Sequence, residues 1–201
     1  QKYRAWVTIV IALHFWVLYS QRVSACLLSA VANTVLGGFG HNFLHQMDSR
    51  ALALDWNGLS SYEWLYEHIS SHHPYPNTVY DHDSLSMEPF VSWFRPKIQN
   101  IIVYIVFFVG EIVVAIQGNI GHRMRWYAKG MPLWMRLSPC LFLLRIMSYS
   151  IVGWNGLFLG LFTCAIASFY FSFLAHLNHA PGFLQSINPY TSKTDYVEQQ
   201  L

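Results

Sequence analysis

Charge is scarce in this chain. Only 11% of its 201 residues are charged, against roughly 25% in soluble domains. That depletion excludes an ordinary water-facing surface. The formal charge of +2 is too small to point to a nucleic-acid partner, and no basic cluster is interleaved with exposed aromatics as a nucleic-acid groove requires. Cysteine is scarce too. Cys26, Cys140 and Cys164 each lie inside an apolar run, with no CxxC spacing. This excludes a disulfide framework and leaves buried, reduced thiols. Glycine-rich phosphate loops and a nucleophile-elbow serine are missing, and no cleavable signal segment is visible in these residues.

What the chain does have is apolar material gathered into long runs, 54% of the composition being hydrophobic. A spanning helix needs about 20 mostly apolar residues. Residues 5–19 and 23–40 form two such runs, joined by Ser20-Gln21-Arg22. So short a joint predicts an antiparallel hairpin. Residues 98–116 and 155–175 are two further candidate spans. The stretch 131–152 is interrupted by Pro132, Pro139, Arg136 and Arg145. Charge near a bilayer centre is expensive, so this stretch reads as an amphipathic helix lying at the interface, with an additional crossing as the alternative. The expected fold is therefore all-α and integral to the membrane, with four transmembrane helices plus interfacial helices.

Residues 41–97 differ in kind. They carry seven of the ten acidic side chains, with Pro74, Pro76, Pro89 and Pro96. Unpaired polar backbone in hydrocarbon costs several kcal/mol per group, so this block is expected outside the membrane as short helices and turns. Trp93, Trp126 and Trp134 flank apolar runs as interfacial belt residues. Phe169, Phe171 and Phe173 read as helix packing.

The chemistry lies in the histidines. Five of the ten fall into two tight groups, His41-Asn-Phe-Leu-His45 and His68-Ile-Ser-Ser-His72-His73. A looser pair follows at His176-Leu-Asn-His179. Spacings of three and four place side chains on one helical face, so His41 and His45 can share a metal ion, as can His68 and His72. His73, turned by roughly 100° from its neighbour, is placed to reach a second ion beside the first. Neutral imidazole suits iron, zinc, copper and nickel. One HxxxH on a helix is commonplace surface, but five histidines at ligand spacing between membrane spans are not. The remaining histidines have plainer readings: His14 as a hydrogen-bonded helix contact, His82 as a solvated or supporting residue, and His122 as part of a basic loop. With spans at 98–116 and 155–175, His41 and His179 fall on one face of the membrane. The basic loop at Arg123, Arg125, Lys129 and Arg136 then faces away from them, against the usual cytoplasmic bias of such loops.

These boxes resemble those of the membrane fatty acid desaturase superfamily. His41-x3-His45 followed by His68-x3-His72-His73 is similar to its first two histidine boxes. The run His72-His73-Pro74-Tyr75-Pro76-Asn77-Thr78 is similar to the second box and its sequel in the front-end branch, and His41-Asn-Phe-Leu-His45-Gln46 with Glu88-Pro89-Phe90 to the cytochrome b5-related branch. Asn178-His179 resembles an Asn-His pair near the end of that family's fourth span. The resemblance implies a desaturase-like domain over residues 1–201, with His41, His45, His68, His72, His73, His176 and His179 as ligands of two iron ions (Fe2+). It further implies oxygen-dependent desaturation or hydroxylation of a fatty acyl or related lipid chain, with electrons from cytochrome b5. The histidine-rich cap would face the cytoplasm, at the endoplasmic reticulum. Glu63 and Glu67 are candidates to hold the far ring nitrogens of ligating histidines. The family's third box, of HxxHH type, does not occur in these residues and is expected beyond Leu201, and any cytochrome b5 domain is expected outside the chain as well. Both ends read as cut. A zinc-dependent membrane lipid hydrolase and a non-catalytic desaturase-like relative are the alternatives.

Overall fold

The computed structural model describes residues 1–76, 80, 81, 105 and 132–179, without the side chains of 136–139, 172 and 175–179. It is all-helical, with no strand among the described residues. Helices α1 (Lys2–Ser20) and α2 (Val23–Leu44) form the expected antiparallel hairpin. Gln21 adopts the left-handed conformation, φ 49°, and returns its N–H to the Val17 carbonyl at 2.9 Å, which closes α1. Arg22 is extended and starts α2. Val17 then packs beside Ala25 and Cys26, Val10 beside Ala32 and Leu36, and Tyr3 against Phe43. The buried residues of α1 are Val10, His14 and Val17, one stripe at helical spacing. The buried residues of α2 are mostly small, among them Ala25, Ser29, Ala32, Gly37 and Gly40. Small side chains let helices approach closely where lipid supplies no hydrophobic drive between them.

Three helical segments are long and apolar enough to cross a membrane: Lys2–Ser20, Val23–Leu44 and Gly153–Phe171. The last belongs to the final helix, Gly153–His179. The outward surface is apolar, with Phe15, Trp16, Leu28, Leu144, Met147 and Phe158 all exposed. So many large apolar side chains exposed on long apolar helices suit lipid and not water. The expected span over residues 98–116 lies, apart from Ile105, outside the described residues, as do Trp93 and Trp126.

The stretch read as interfacial forms helix α5 (Leu133–Ser150), and the structure corrects its placement. Met135, at its start, packs with Leu44 and Leu54 near the C-terminal end of α2. Tyr149, at its end, packs with Val17, Ala25 and Cys26 at the opposite end. α5 therefore runs along the bundle and not across it. Its faces are also reversed from an interfacial helix: Leu143, Leu144 and Met147 point outward, while Arg145 is 1% exposed. The physical reason is that Arg145 has polar partners inside. Its Nη1 donates to the Trp56 carbonyl at 3.0 Å and to Asn57 Oδ1 at 3.3 Å, with the guanidinium over the Trp56 ring. A buried charge is tolerable when it is hydrogen-bonded. Trp134, read as a belt residue, is half-buried against the same core as Met135.

Those partners, Trp56 and Asn57, belong to the polar block. Part of the polar block does not stay outside the bundle. After α2 come a 3-10 turn (Ser49–Ala51), α3 (Leu52–Trp56), α4 (Ser61–Trp64) and a π-helix (Leu65–His72). α3 dips between the long helices. Trp56 Nε1 donates to Asn33 Oδ1 at 3.0 Å, and Asn57 Nδ2 donates to the Asn33 carbonyl at 2.8 Å. Asn33 stands eleven residues before Leu44 on α2, about 16 Å along the helix axis. Irregular backbone at such depth is tolerated when protein covers it, and residues 53–55 and 57–62 are all buried. Two glycines make the insertion possible. A Cβ on Gly40 would come within 2.8 Å of the Leu54 nitrogen, so α3 needs a bare backbone there. Gly58 turns the chain back out at φ 91°. Ser60 then caps α4, its hydroxyl accepting from the Glu63 N–H at 3.3 Å, and Asp55 accepts from the Ser61 N–H at 2.9 Å.

The last helix, α6 (Gly153–His179), follows α5 after a tight turn. Asn155 donates to Gln21 at one end, Thr34 meets the Ala167 carbonyl midway, and Phe171 lies against Gly37 further on. α6 thus runs parallel to α2, toward the end that carries His41.

Candidate metal centre

His41 and His45 occupy the last turn of α2 and the residue after it. Four residues apart, they share a face, as the sequence predicts. The second box departs from α-helical spacing. The His73 N–H donates to the His68 carbonyl at 3.0 Å, and the Ser70 hydroxyl donates to the Leu65 carbonyl at 2.9 Å. Both bonds span five residues. In an α-helix two residues five apart diverge by about 140°. The wider π turn brings His73 back over His68, and such turns concentrate at functional sites.

Four imidazoles meet as a result. The Nε2 of His41 lies 2.8 Å from that of His68 and 3.1 Å from that of His45, and the His73 Nε2 lies 3.1 Å from that of His68. One ligating atom from each of the four falls within 4.8 Å of every other. An Nε2 has a single in-plane position, filled by a proton or a lone pair. His41 Nε2 touches two others, and so does His68 Nε2. One proton cannot serve both contacts, whereas a cation at the centre accepts all the lone pairs together. The donor set therefore fits a metal ion, since imidazole nitrogens bind first-row metals at about 2.0–2.1 Å. All four donors are borderline nitrogens, a set that suits iron, zinc or copper and not calcium or magnesium.

The centre is graded in exposure. His68 is buried, His41 is half-buried, and His45 and His73 are exposed. Although His45 lies at the exposed rim, the partial desolvation it meets there lowers its pKa from the ordinary value, and the neighbouring His68 adds to the effect. Both causes disfavour the protonated form and keep the ring available as a neutral ligand. Trp64 forms one wall, stacked on His68 at 4.8 Å and edge-on to His41 at 5.7 Å. Phe171 of α6 packs against Trp64 at 5.5 Å. The aromatic residue read as packing therefore buttresses the wall of the centre.

His72 stands apart from this group. Sequence spacing pairs it with His68 and sets His73 to one side, whereas the π turn places His73, and not His72, among the four converging imidazoles. The His72 ring stacks beside His68 at 5.3 Å, and its Nδ1 lies 2.9 Å from Asp81 Oδ2. Asp81 is fully buried. Glu63 and Glu67 are the carboxylates expected beside the boxes, and neither Asp81 nor Trp64 was foreseen. Neither has a ligand-type spacing that would mark it in the sequence. The helix carrying His176 and His179 is directed toward the centre, and the backbone stays helical through His179. Their side chains lie outside the described residues, as do His82 and His122. His14 is a helix contact, its Nε2 bonded to the Ser148 hydroxyl at 2.8 Å.

No family model, curated protein or solved structure matches this chain.

Proposed function

We propose that this chain is the metal-binding core of a membrane oxidoreductase that desaturates or hydroxylates a fatty acyl or related lipid chain, as the histidine-box resemblance implies. The observation that supports it best is the convergence of His41, His45, His68 and His73 at one end of an apolar helical bundle. Iron bound there would supply the dioxygen chemistry needed to remove hydrogen from an unactivated methylene. His72, with His176 and His179 from α6, would serve a second iron.

The chain's own residues have separable tasks. The two boxes turn imidazole nitrogens of His41, His45, His68 and His73 toward one another. Trp64 and Phe171 exclude water from the inner side of the centre and leave His45 and His73 at the outer edge. An open edge suits a soluble electron donor, for which cytochrome b5 is the proposed partner. The apolar exterior of the helices lets a lipid chain approach from the bilayer. In this reading the histidine end faces the cytoplasm, at the endoplasmic reticulum.

The experiment is metal analysis of full-length protein purified in detergent, with oxygen-dependent conversion of labelled acyl lipids in membranes. The expected result is about two irons per chain through imidazole-rich ligation and activity lost in His41→Ala. Stoichiometric zinc without iron would favour the membrane hydrolase. A metal-free protein without turnover would favour the non-catalytic relative.

A further inference from the structure

The four-imidazole centre leaves one box histidine with a different and well-built environment. His72 is buried, and Asp81, which is 0% exposed, faces its Nδ1 at 2.9 Å. In its ionised form the Asp81 carboxylate only accepts hydrogen bonds, and this contact then calls for the ring proton on Nδ1. In the neutral ring, Nε2 is then the nitrogen that carries the lone pair. Beside Asp81, the Tyr80 carbonyl accepts from the Ser71 hydroxyl. Burying a carboxylate is costly without a hydrogen-bonded partner, and this one is aimed at a ring stacked on His68 with only 18° between the planes.

We propose that Asp81 is a positioning residue that locks His72 in the Nδ1–H tautomer and presents its Nε2 as a ligand to a divalent metal ion beside the four-imidazole centre. The inference rests on the metal reading above and adds the residue that makes His72 a competent ligand. A carboxylate behind a ligating imidazole fixes the ring's orientation and raises its basicity, and loss of such a partner typically weakens metal binding about 10–100-fold.

The test uses the full chain in detergent, titrated anaerobically with Co2+ as a spectroscopic probe and with Fe2+, beside 15N spectra of the metal-free protein with labelled histidine. Wild type is expected to show two classes of binding and a single Nδ1–H tautomer at His72. Asp81→Asn should weaken the second class about 10–100-fold, leave the class that His41→Ala removes, and mix the His72 tautomers. Asp81→Glu should restore part of both signals. Thermal melting and size-exclusion profiles accompany each variant. If wild type binds no metal at all, the metal reading and this inference fall together. If metal binds and is lost in His41→Ala, while Asp81→Asn matches wild type in affinity and tautomer, the role of Asp81 alone is refuted. If Asp81→Asn and Asp81→Glu both lower the melting temperature and lose every metal class together, Asp81 is a folding residue and the proposal is overturned.

Discussion

The His73 N–H donates to the His68 carbonyl at 3.0 Å, and this one five-residue bond decides which histidines of the second box meet the first. It turns His73 onto the centre formed with His41 and His45, and leaves His72 to Asp81. The pairing has consequences that can be measured.

The four-imidazole centre should depend on His73 more than on His72. In metal titrations of the purified chain, His73→Ala is expected to abolish the tightest class of binding, and His72→Ala to spare it. If both variants lose that class alike, the centre draws on both histidines and the assignment from the π turn is wrong. Deleting Ser70 offers an independent check. It should convert the π turn to an α turn with the two rings four residues apart, and tight binding should survive.

Arg145 should matter to stability although it sits in an apolar helix. Arg145→Met keeps much of the length and removes the donors, which strands the Trp56 carbonyl and Asn57 Oδ1 in the core. A buried acceptor left without its partner costs about 1–3 kcal/mol. Chemical or thermal unfolding in detergent should show a loss of that size. Leu144→Met, on the outward face, should change stability by less than about 0.5 kcal/mol. Equal stability of Arg145→Met and wild type would contradict the buried clamp.

The turn after α2 has a pH signature. Asp48 accepts from the Arg50 guanidinium and, secondarily, from the Arg50 backbone N–H, and these bonds hold its carboxyl down to about 2 from an ordinary value of 3.8. A carboxyl depressed in the folded state binds fewer protons there than in the unfolded chain. Its contribution to stability is thus complete above pH 3.8, and is lost as the pH falls from 3.8 to about 2. The pair is exposed, so the effect on the whole protein is small. Carbonyl-detected NMR titration should find Asp48 still ionised at pH 3, and the depression should vanish in Arg50→Ala. A midpoint near 3.8 in wild type would break the assignment.

The parallel course of α2 and α6 predicts sidedness. Gln46 and Gln21 are exposed at opposite ends of α2, separated by about 33 Å of helix, and a hydrocarbon core is about 30 Å thick. Single cysteines at the two positions, in a chain with Cys26, Cys140 and Cys164 replaced by serine, should label from opposite sides of sealed vesicles. A cysteine at the exposed Trp154 should label with Gln21. Labelling of positions 46 and 154 from the same side would rule out α6 as a helix that crosses toward the histidines.

What could be read from the residues alone is what depends on local spacing. The Ser20-Gln21-Arg22 joint is too short for anything but a hairpin, and His41 and His45 share a face because four residues make about one turn. Apolar runs of sufficient length declare themselves in the same way. Three features needed the tertiary structure. The π turn at Leu65–His72 depends on which carbonyl each N–H reaches, and that choice leaves residue spacing unchanged. Arg145 looks in sequence like a charge that bars a helix from the bundle interior. It is admitted because Asn57, 88 residues away, is carried down to it by α3, and α3 fits only because Gly40 offers bare backbone. Asp81 reaches His72 across nine residues, a separation at which no helical or strand period says which side chains will touch. Local periodicity thus specified which residues share a face, and long-range packing decided which of those faces meet.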